Sequence, residues 1–189
     1  MIQIDPYQPD WCEQFLAIGQ TLRQALGDLA LRIDHIGSTS VPGLAAKDRI
    51  DIQVTVLSLA DTVEAALNQA GFDRVEHINQ DHLPPGVEDD IREWTKWLFT
   101  PEIASSQANV HVRIAGRANQ RYALLFRDYL RAFPATAEAY AQVKIALAKY
   151  HADNVEAYYD VKDPVCDIII GGAEIWAATT DWQMGPSDA

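Results

Sequence analysis

The spacing of apolar residues changes near Gly116, and this change limits the folds open to the chain. Before it, Ile50 to Leu57 alternate apolar with polar residues, the period of two that marks a strand with one buried face. After it, Tyr122 to Phe133 carry aromatic and leucine side chains at i, i+3, i+4, i+7, i+8 and i+11, the stripe of an amphipathic helix. The pattern predicts an α+β fold, in which helices pack on a mixed β-sheet and the C-terminal half is helical.

The same periodicities, with glycine and proline signals, place the other elements. Helices are predicted over residues 9–27 and 61–70, and strands over 31–36, 72–78, 93–100 and 109–114. The acidic, Pro-Pro-Gly-containing stretch 81–90 is predicted as an exposed loop. Further helices are expected from Pro134 to about Tyr150, briefly after Asp153, and from Asp163-Pro164 onward. We expect one domain over residues 1–178, followed by a loose polar tail over 179–189.

Charge and composition argue against several classes of protein. A formal net charge of −12 disfavours wholesale binding to nucleic acid or to an anionic membrane. No apolar run approaches the roughly 20 residues that span a bilayer, and the N-terminus lacks the basic and apolar regions of a signal peptide. The two cysteines make no disulfide framework. These features predict a cytoplasmic protein.

Basic residues concentrate in residues 111–132, which hold five arginines and one acid. Such a segment in an acidic chain indicates a small anionic ligand held locally, although a solvated helix face with ion pairs has the same composition. Arg121 and Asp128 lie seven residues apart on one edge of the apolar stripe. Arg121 is therefore predicted to face a pocket, with Asp128 as its partner, while a purely structural pair is the alternative. Arg127 and Arg131 are predicted on the solvent side.

The segment between residues 35 and 54 carries the most informative chemistry. A Gly37-Ser38 pair leaving a strand lets the backbone approach a phosphate closely, because glycine has no Cβ. Ser38 adds a hydroxyl donor, and Lys47 could supply a positive charge. Asp51, on the next strand, is placed to hold a divalent metal near that phosphate, and magnesium suits carboxylate and phosphate oxygens. Gly-Ser loops between strands are also commonly simple turns.

Two histidines and an arginine complete the candidates. His111 and Arg113 share one face of the strand over 109–114. If that face lines the pocket, they would be phosphate ligands or a general acid/base pair; otherwise the face is an exposed sheet surface. His35 precedes the loop, where it could assist a phosphate or a proton transfer, or be a hydrogen-bonded structural histidine.

Three blocks of the sequence resemble the GrpB family. They are Tyr7-Gln-Pro-Asp-Trp11, His35-Ile-Gly-Ser-Thr-Ser-Val-Pro-Gly-Leu-Ala-Ala-Lys47 with Ile50-Asp51-Ile52, and Phe126-Arg-Asp-Tyr-Leu-Arg131. The resemblance covers about residues 2–178. That family is similar in fold to nucleotidyltransferases and to a domain fused to dephospho-CoA kinase in some bacteria. It implies a nucleotide or phosphate ligand held by His35, Gly37, Ser38, Thr39, Lys47, Arg113 and Arg121, with Ser38, Asp51 and His111 catalytic and Asp51 on Mg²⁺.

The chain departs from active nucleotidyltransferases at two acidic positions. Those enzymes usually carry Asp-x-Asp or Asp-x-Glu and a third carboxylate on a later strand, whereas this chain has Asp51, Gln53 and His111. Two hypotheses follow. One is a magnesium-dependent nucleotidyl- or phosphoryl-transferase, favoured by the Gly-Ser loop and Asp51. The other is a non-catalytic nucleotide- or CoA-binding module that assists a partner such as dephospho-CoA kinase, favoured by the missing carboxylates.

Overall fold

A computed structural model of the protein describes residues 1–88, 90–102 and 107–189. Its strands are β1 (Ala30–Ile36), β2 (Ile50–Val56), β3 (Phe72–Arg74), β4 (Trp97–Pro101) and β5 (Ala108–Ile114). They form one mixed sheet in the order β1-β2-β5-β4-β3. Only the β2–β5 pair is parallel among these strands, and its register sets Asp51 beside Asn109 and Gln53 beside His111. Polar residues of two neighbouring strands are thereby brought to one face.

Helices cover both faces of the sheet. They are α1 (Asp10–Leu26), α2 (Asp61–Gln69), α3 (Ile91–Trp94), α4 (Ala118–Ala132), α5 (Pro134–Tyr150) and α6 (Val155–Thr180). On one face α1 and α2 bury the apolar row of β2 with Trp11 and Phe15. On the other, α4 contacts β1 and β5, and α5 and α6 pack beside it. The predicted α+β fold, with a mixed sheet and a helical C-terminal half, is confirmed.

No helix in the described part of the chain combines the length and the apolarity needed to cross a bilayer.

Two predicted elements differ from the structure. The short helix after Asp153 and the last helix from Asp163-Pro164 are one helix, α6, with Pro164 inside it. Proline removes a backbone donor and usually ends a helix, but the apolar side chains on either side of Pro164 are buried against the rest of the protein. The strand predicted over 93–100 begins instead as the helical turn α3, because the side chain of Asp90 accepts from the backbone N–H of Arg92 and caps it.

The looseness predicted for residues 179–189 is wrong for the end of this segment. The backbone N–H of Asp188 donates to the Ile33 carbonyl at 3.1 Å. The hydroxyl of Ser187 accepts from the Ile33 N–H and donates to the Ile33 carbonyl, both at 2.9 Å. Since β1 is an edge strand, its outer backbone groups need partners, and this segment supplies them.

Two arginines of α4, Arg121 and Arg127, face the opposite way from the prediction, whereas Arg131 is exposed as predicted. Arg127 is 4% exposed, and it donates to the His35 carbonyl at 3.0 Å and to Asp188 at 2.7 Å. Asp128 pairs with Arg127 at 2.8 Å rather than with Arg121. Arg121 instead forms an exposed ion pair with Glu174. Helix α6 packs along the side of α4 that carries Arg121, and its Glu174 pairs with that arginine. Arg127 stays buried because it donates to the carbonyl of His35 on β1.

Replacing Arg127 with leucine is expected to lower the free energy of unfolding by about 2–3 kcal/mol, because a buried carbonyl and the Asp188 carboxylate lose their charged donor. Arg121→Leu, on the same helix, should cost less than about 1 kcal/mol, since an exposed ion pair contributes little. Urea unfolding followed by circular dichroism measures both losses. Equal losses would contradict the buried role assigned to Arg127.

Candidate functional site

A cavity of about 680 Å³ lies between the polar face of the sheet and helices α4, α5 and α6. Its basic side chains are Lys47, Arg49, Lys96, Arg113, Lys144 and Lys162, and its acidic ones are Asp51, Asp81 and Asp163. Aromatic side chains complete its walls: Trp94, Tyr122, Phe126, Tyr140, Tyr158 and Tyr159. In a chain of net charge −12, bases outnumber acids two to one here. The cavity therefore suits an anion with an apolar or aromatic part.

The loop after β1 passes directly over the Asp51 side chain. Gly37 has a φ of 69°, in the left-handed region that favours glycine. A Cβ added there would lie 2.5 Å from Oδ2 of Asp51 and 2.9 Å from its Cβ. Glycine is thus required by both the backbone conformation and the close approach. The loop continues as a 3-10 turn, Ser38–Ser40, which places Ser38 and Thr39 on the cavity.

Asp51 is held by two side chains of β5. Its Oδ1 accepts from Asn109 Nδ2 at 2.8 Å, and Nε2 of His111 lies 3.5 Å from the same oxygen. Burial opposes ionisation, but the hydrogen bonds that His111 and the Asn109 amide donate hold the pKa of Asp51 below its usual value. The carboxylate side chain is 30% exposed, so it is charged and open to a ligand.

His111 connects Asp51 to a second charged group. Its Nδ1 lies 3.3 Å from the ammonium of Lys96. Burial lowers the pKa of His111, and the charges of Arg113 and Lys96 lower it further against the effect of Asp51. A neutral imidazole satisfies both neighbours, because Nδ1 then accepts from Lys96 and Nε2–H points to Asp51. His111 can then serve as a general base at Nδ1 once a substrate hydroxyl replaces Lys96 there.

Asp81 is a site residue that the sequence interpretation missed. It comes from the stretch predicted as an exposed loop, yet it accepts from Arg113 at 2.8 and 2.9 Å, from Lys96 at 2.6 Å and from Asn119 at 3.0 Å. Burial opposes its ionisation, but the charge and hydrogen bonds of Arg113 and the charge of Lys96 hold the pKa of Asp81 far below its usual value. Arg113 also donates to Gln53 at 2.7 Å. The N–H groups of the Arg113 guanidinium are therefore largely occupied by Asp81 and Gln53.

Lys144, on α5, provides the buried positive charge next to the loop. Its Nζ donates to Ser38 Oγ at 2.8 Å and to the Ala45 carbonyl at 2.6 Å. Burial lowers the pKa of Lys144 to about 7, and the neighbouring charge of Lys162 acts in the same direction. The sequence gives only the isolated helical lysine, whose contact with Ser38 spans 106 residues. Tertiary packing therefore makes it the ammonium closest to the loop hydroxyl.

Lys47, the predicted phosphate ligand, lines the cavity beside aromatic rings. Its Nζ lies 4.3 Å from the ring centroid of Tyr158 and 4.9 Å from that of Tyr159. Lys162 lies 5.4 Å from the Tyr159 ring and 3.2 Å from the carboxylate of Asp163. These contacts place two more cations along the wall that α6 contributes.

Most of the predicted site residues converge on the cavity, and two do not. Gly37, Ser38, Thr39, Lys47, Asp51, His111 and Arg113 line it. His35 faces the other side of the sheet, because its strand register pairs it with the core residue Ile52. Its ring stacks on Phe15 at 4.7 Å, and burial lowers its pKa to about 4. Arg121, paired with Glu174, also lies outside the cavity lining.

The residues present do not form a magnesium cage. Within residues 1–88, 90–102 and 107–189, no three His, Cys, Asp or Glu side chains are grouped so that they could share an ion. Asp51 has one oxygen engaged by Asn109, and Asp81 is neutralised by Arg113 and Lys96. A two-metal centre needs several free carboxylates and does not fit. Magnesium binding by Asp51 stays a prediction.

Known proteins resemble this chain over most of its length. Dephospho-CoA kinase of Mycolicibacterium paratuberculosis is 36% identical over 196 residues, which cover 96% of this chain and 48% of that protein. The UPF0157 protein BH1888 of Halalkalibacterium halodurans is 33% identical over 173 residues, 87% of this chain and 78% of that protein. The chain spans about half the length of the mycobacterial dephospho-CoA kinases it matches.

A solved structure extends the likeness to the fold. The crystal structure of conserved protein GrpB from Enterococcus faecalis superposes with a TM-score of 0.71 and 31% identity, over 92% of this chain and 99% of that one. The family described as GrpB protein matches residues 1–171. By sequence and by fold, this chain belongs to the GrpB family.

Proposed function

We propose that the cavity binds an organic phosphate, of the nucleotide or coenzyme A type, through cationic side chains and the Gly37-Ser38 loop. The observation that carries the proposal is the convergence of six basic side chains on one cavity in a chain of net charge −12. The volume of about 680 Å³ lies within the range usual for small-molecule sites. Charge and size together favour a phosphorylated metabolite over an apolar ligand.

The phosphate would bind in the corner formed by Ser38 and Lys144. The Lys144 ammonium and the Ser38 hydroxyl are 2.8 Å apart, and the other acceptor of Lys144 is the uncharged Ala45 carbonyl. A charged phosphate oxygen would form stronger hydrogen bonds with both groups than their present uncharged partners do. Lys47 and Lys162 stand along the adjacent wall with the rings of Tyr158 and Tyr159. An aromatic base could stack on such rings while its phosphates reach the lysines.

Phosphoryl or nucleotidyl transfer is the second candidate function, and the Asp51–His111 contact favours it. His111 Nε2 lies 3.5 Å from the carboxylate beside the loop. In this scheme an attacking hydroxyl replaces Lys96 at Nδ1 of His111 and gives its proton to that nitrogen, while Asp51 accepts from Nε2–H and orients the imidazole. Ser38 binds the phosphate that is transferred, and its bond to the leaving phosphate oxygen breaks as the bond to the attacking oxygen forms. The lowered pKa of His111 keeps the imidazole neutral and able to accept a proton.

A protein partner is proposed from the relatives. Mycobacterial dephospho-CoA kinases contain a region similar to this chain within a protein about twice as long. We therefore infer a cytoplasmic role beside an enzyme of that kind, with a CoA-type molecule as the preferred ligand. A module that holds the cofactor or its precursor would assist the partner without needing carboxylates of its own.

A thermal-shift panel of ATP, CTP, GTP, UTP, CoA and dephospho-CoA tests the proposal. We expect one ligand class to stabilise the protein with or without magnesium, by roughly 2.7 kcal/mol at about 100 times its dissociation constant, which is several degrees. Asp51→Asn should keep this shift, because the change removes a negative charge near the anion; Asp28→Asn, on the surface, is the control. A shift that requires magnesium and disappears in Asp51→Asn would support the transferase instead, and no shift with any phosphate would contradict both.

Lys144 gives the binding a pH dependence. With a pKa of about 7, it is mostly charged at pH 6 and mostly neutral at pH 8, so anion affinity should fall as pH rises through 7. The Lys144→Arg variant stays charged over this range, so its anion affinity should depend less on pH. The ligand's own ionisation affects both proteins equally, so the ratio of wild-type to Lys144→Arg affinity isolates the effect of Lys144. Lys144→Met should lose about tenfold in affinity at pH 6. Lys149→Met, on the exposed side of α5, is the matched control. Titration calorimetry from pH 6 to 8.5 measures all four; parallel wild-type and Arg curves would refute the role of Lys144.

A further inference from the structure

Helix α6 exposes an apolar stripe that lies outside the buried clusters of the core. The stripe consists of residues alternately three and four apart, all of them exposed: Val161, Pro164, Ile168, Gly171, Ile175 and Ala178. Its three largest side chains are unusually open, since Val161 is 45%, Ile168 77% and Ile175 69% exposed. We call these six residues the α6 stripe. Alternation of three and four is the spacing by which one helix presents a seam to another.

The core of the protein uses the other faces of the same helix. Cys166 and Ile169 belong to one buried cluster, and Ile170, Ala173 and Ala177 to another. Helix α6 is therefore fully anchored on α4 and α5 without the stripe. Large apolar side chains in a continuous exposed row mark interaction surfaces in proteins.

Acidic residues border the stripe along one side. Asp160, Asp167 and Glu174 lie seven residues apart, each directly before one of the large stripe residues. Glu174 pairs with Arg121 in a surface contact that exchanges at little cost. Asp167 is less open, since its side chain is 13% exposed and contacts the half-exposed His82. The single base of α6, Lys162, faces the cavity. The exposed side of the helix thus combines an apolar seam with an acidic border.

We propose that the α6 stripe docks a basic amphipathic helix of another protein. Apolar residues of that helix would cover the stripe, and its Lys or Arg residues would meet Asp160, Asp167 and Glu174. The charge excludes the other occupants. An anionic membrane is repelled by the acidic border and by the net charge of −12.

A second copy of the chain would supply the wrong charges. In an antiparallel pair the acidic borders of the two copies would face each other, and such like-charge contacts are destabilising. In a parallel pair each border would meet the opposite side of the other stripe, where Val165, Gly172 and Thr179 provide no base. A foreign basic helix is the occupant that complements both the seam and its border.

The size of the stripe sets the strength expected. Residues 161–178 extend about 27 Å along the helix, so one helical face covers on the order of 300 Å² per partner. Stable interfaces cover about 800 Å² per partner, so docking through this seam should be reversible, with dissociation constants in the micromolar range. Its affinity should also fall with added salt, because charge supplies part of the attraction.

Synthetic peptides test the docking on the full chain. The probe is a helical peptide of about 21 residues with leucine at the seam positions and lysine beside them; one control peptide carries glutamate in place of lysine, and another has the same composition with the seam scrambled. Fluorescence anisotropy should detect binding of the lysine peptide alone, weakening as salt rises. Equal binding of the scrambled peptide would show charge attraction without a seam and overturn the proposal.

Variants of the protein locate the binding. Ile168→Glu should reduce the affinity for the lysine peptide about tenfold or more, while Leu57→Glu, equally exposed at 76% but outside α6, should leave it unchanged. Both positions are exposed, and circular dichroism would verify that each variant is folded. Undiminished binding by Ile168→Glu would refute the site. A dimer of the wild-type chain in sedimentation experiments that is lost in Ile168→Glu would assign the stripe to a second copy and likewise overturn the proposal.

Discussion

A Cβ at Gly37 would sit 2.5 Å from the carboxylate of Asp51, so the loop that leaves β1 can cross β2 only as glycine. This close approach fixes the path of the loop over β2. Ser38 is turned toward α5, where Lys144 donates to it, and the carbonyl of Ser40 accepts from Arg131 on α4. Because two helices hydrogen-bond to the same turn, the helical half of the chain docks on the loop and encloses the cavity above the sheet.

The buried charges of the cavity are paired unequally, and this inequality supports the phosphate ligand that we propose. Asp81 is shared by Arg113 and Lys96, so each of these two bases contacts a carboxylate. Lys144 differs, because its two hydrogen-bond acceptors, Ser38 and Ala45, are both neutral. A buried ammonium with neutral partners is costly, which is why its pKa falls to about 7. An incoming phosphate would supply the missing negative charge at the position where the protein lacks it.

The sequence predicts the parts of this arrangement that depend on neighbours along one strand or one turn. Alternation in β2 and in β5 places Asp51, His111 and Arg113 on polar faces, and the parallel register then brings them together. Helical spacing correctly identifies α4 but not the surroundings of its arginines. A spacing of seven says that Arg121 and Asp128 share a side, whereas the partners of each are set by α6 and by the carbonyl of His35.

Long-range contacts explain the residues that the sequence does not reveal. Asp81 lies in an acidic stretch whose composition is typical of a solvated loop. It is buried because Arg113 on β5 and Asn119 on α4 donate hydrogen bonds to it in the folded protein. The end of the chain has no apolar pattern, yet its backbone groups match those of the β1 edge. Hydrogen bonding to an exposed strand edge requires no sequence signature, since every residue except proline carries the donor and the acceptor.

The cavity is lined by more bases than acids, whereas the chain as a whole carries a net charge of −12. The net charge therefore says little about the charge of the ligand. On α6, Lys162 faces the cavity together with Asp163, while Asp160 and Glu174 face outward. An acidic exterior repels polyanions as large as nucleic acid, which must contact a broad surface. A small phosphate enters a cavity and interacts mainly with the charges nearest to it, because solvent and salt screen those beyond roughly 10 Å. An acidic exterior is therefore compatible with the phosphate ligand that we propose for the cavity.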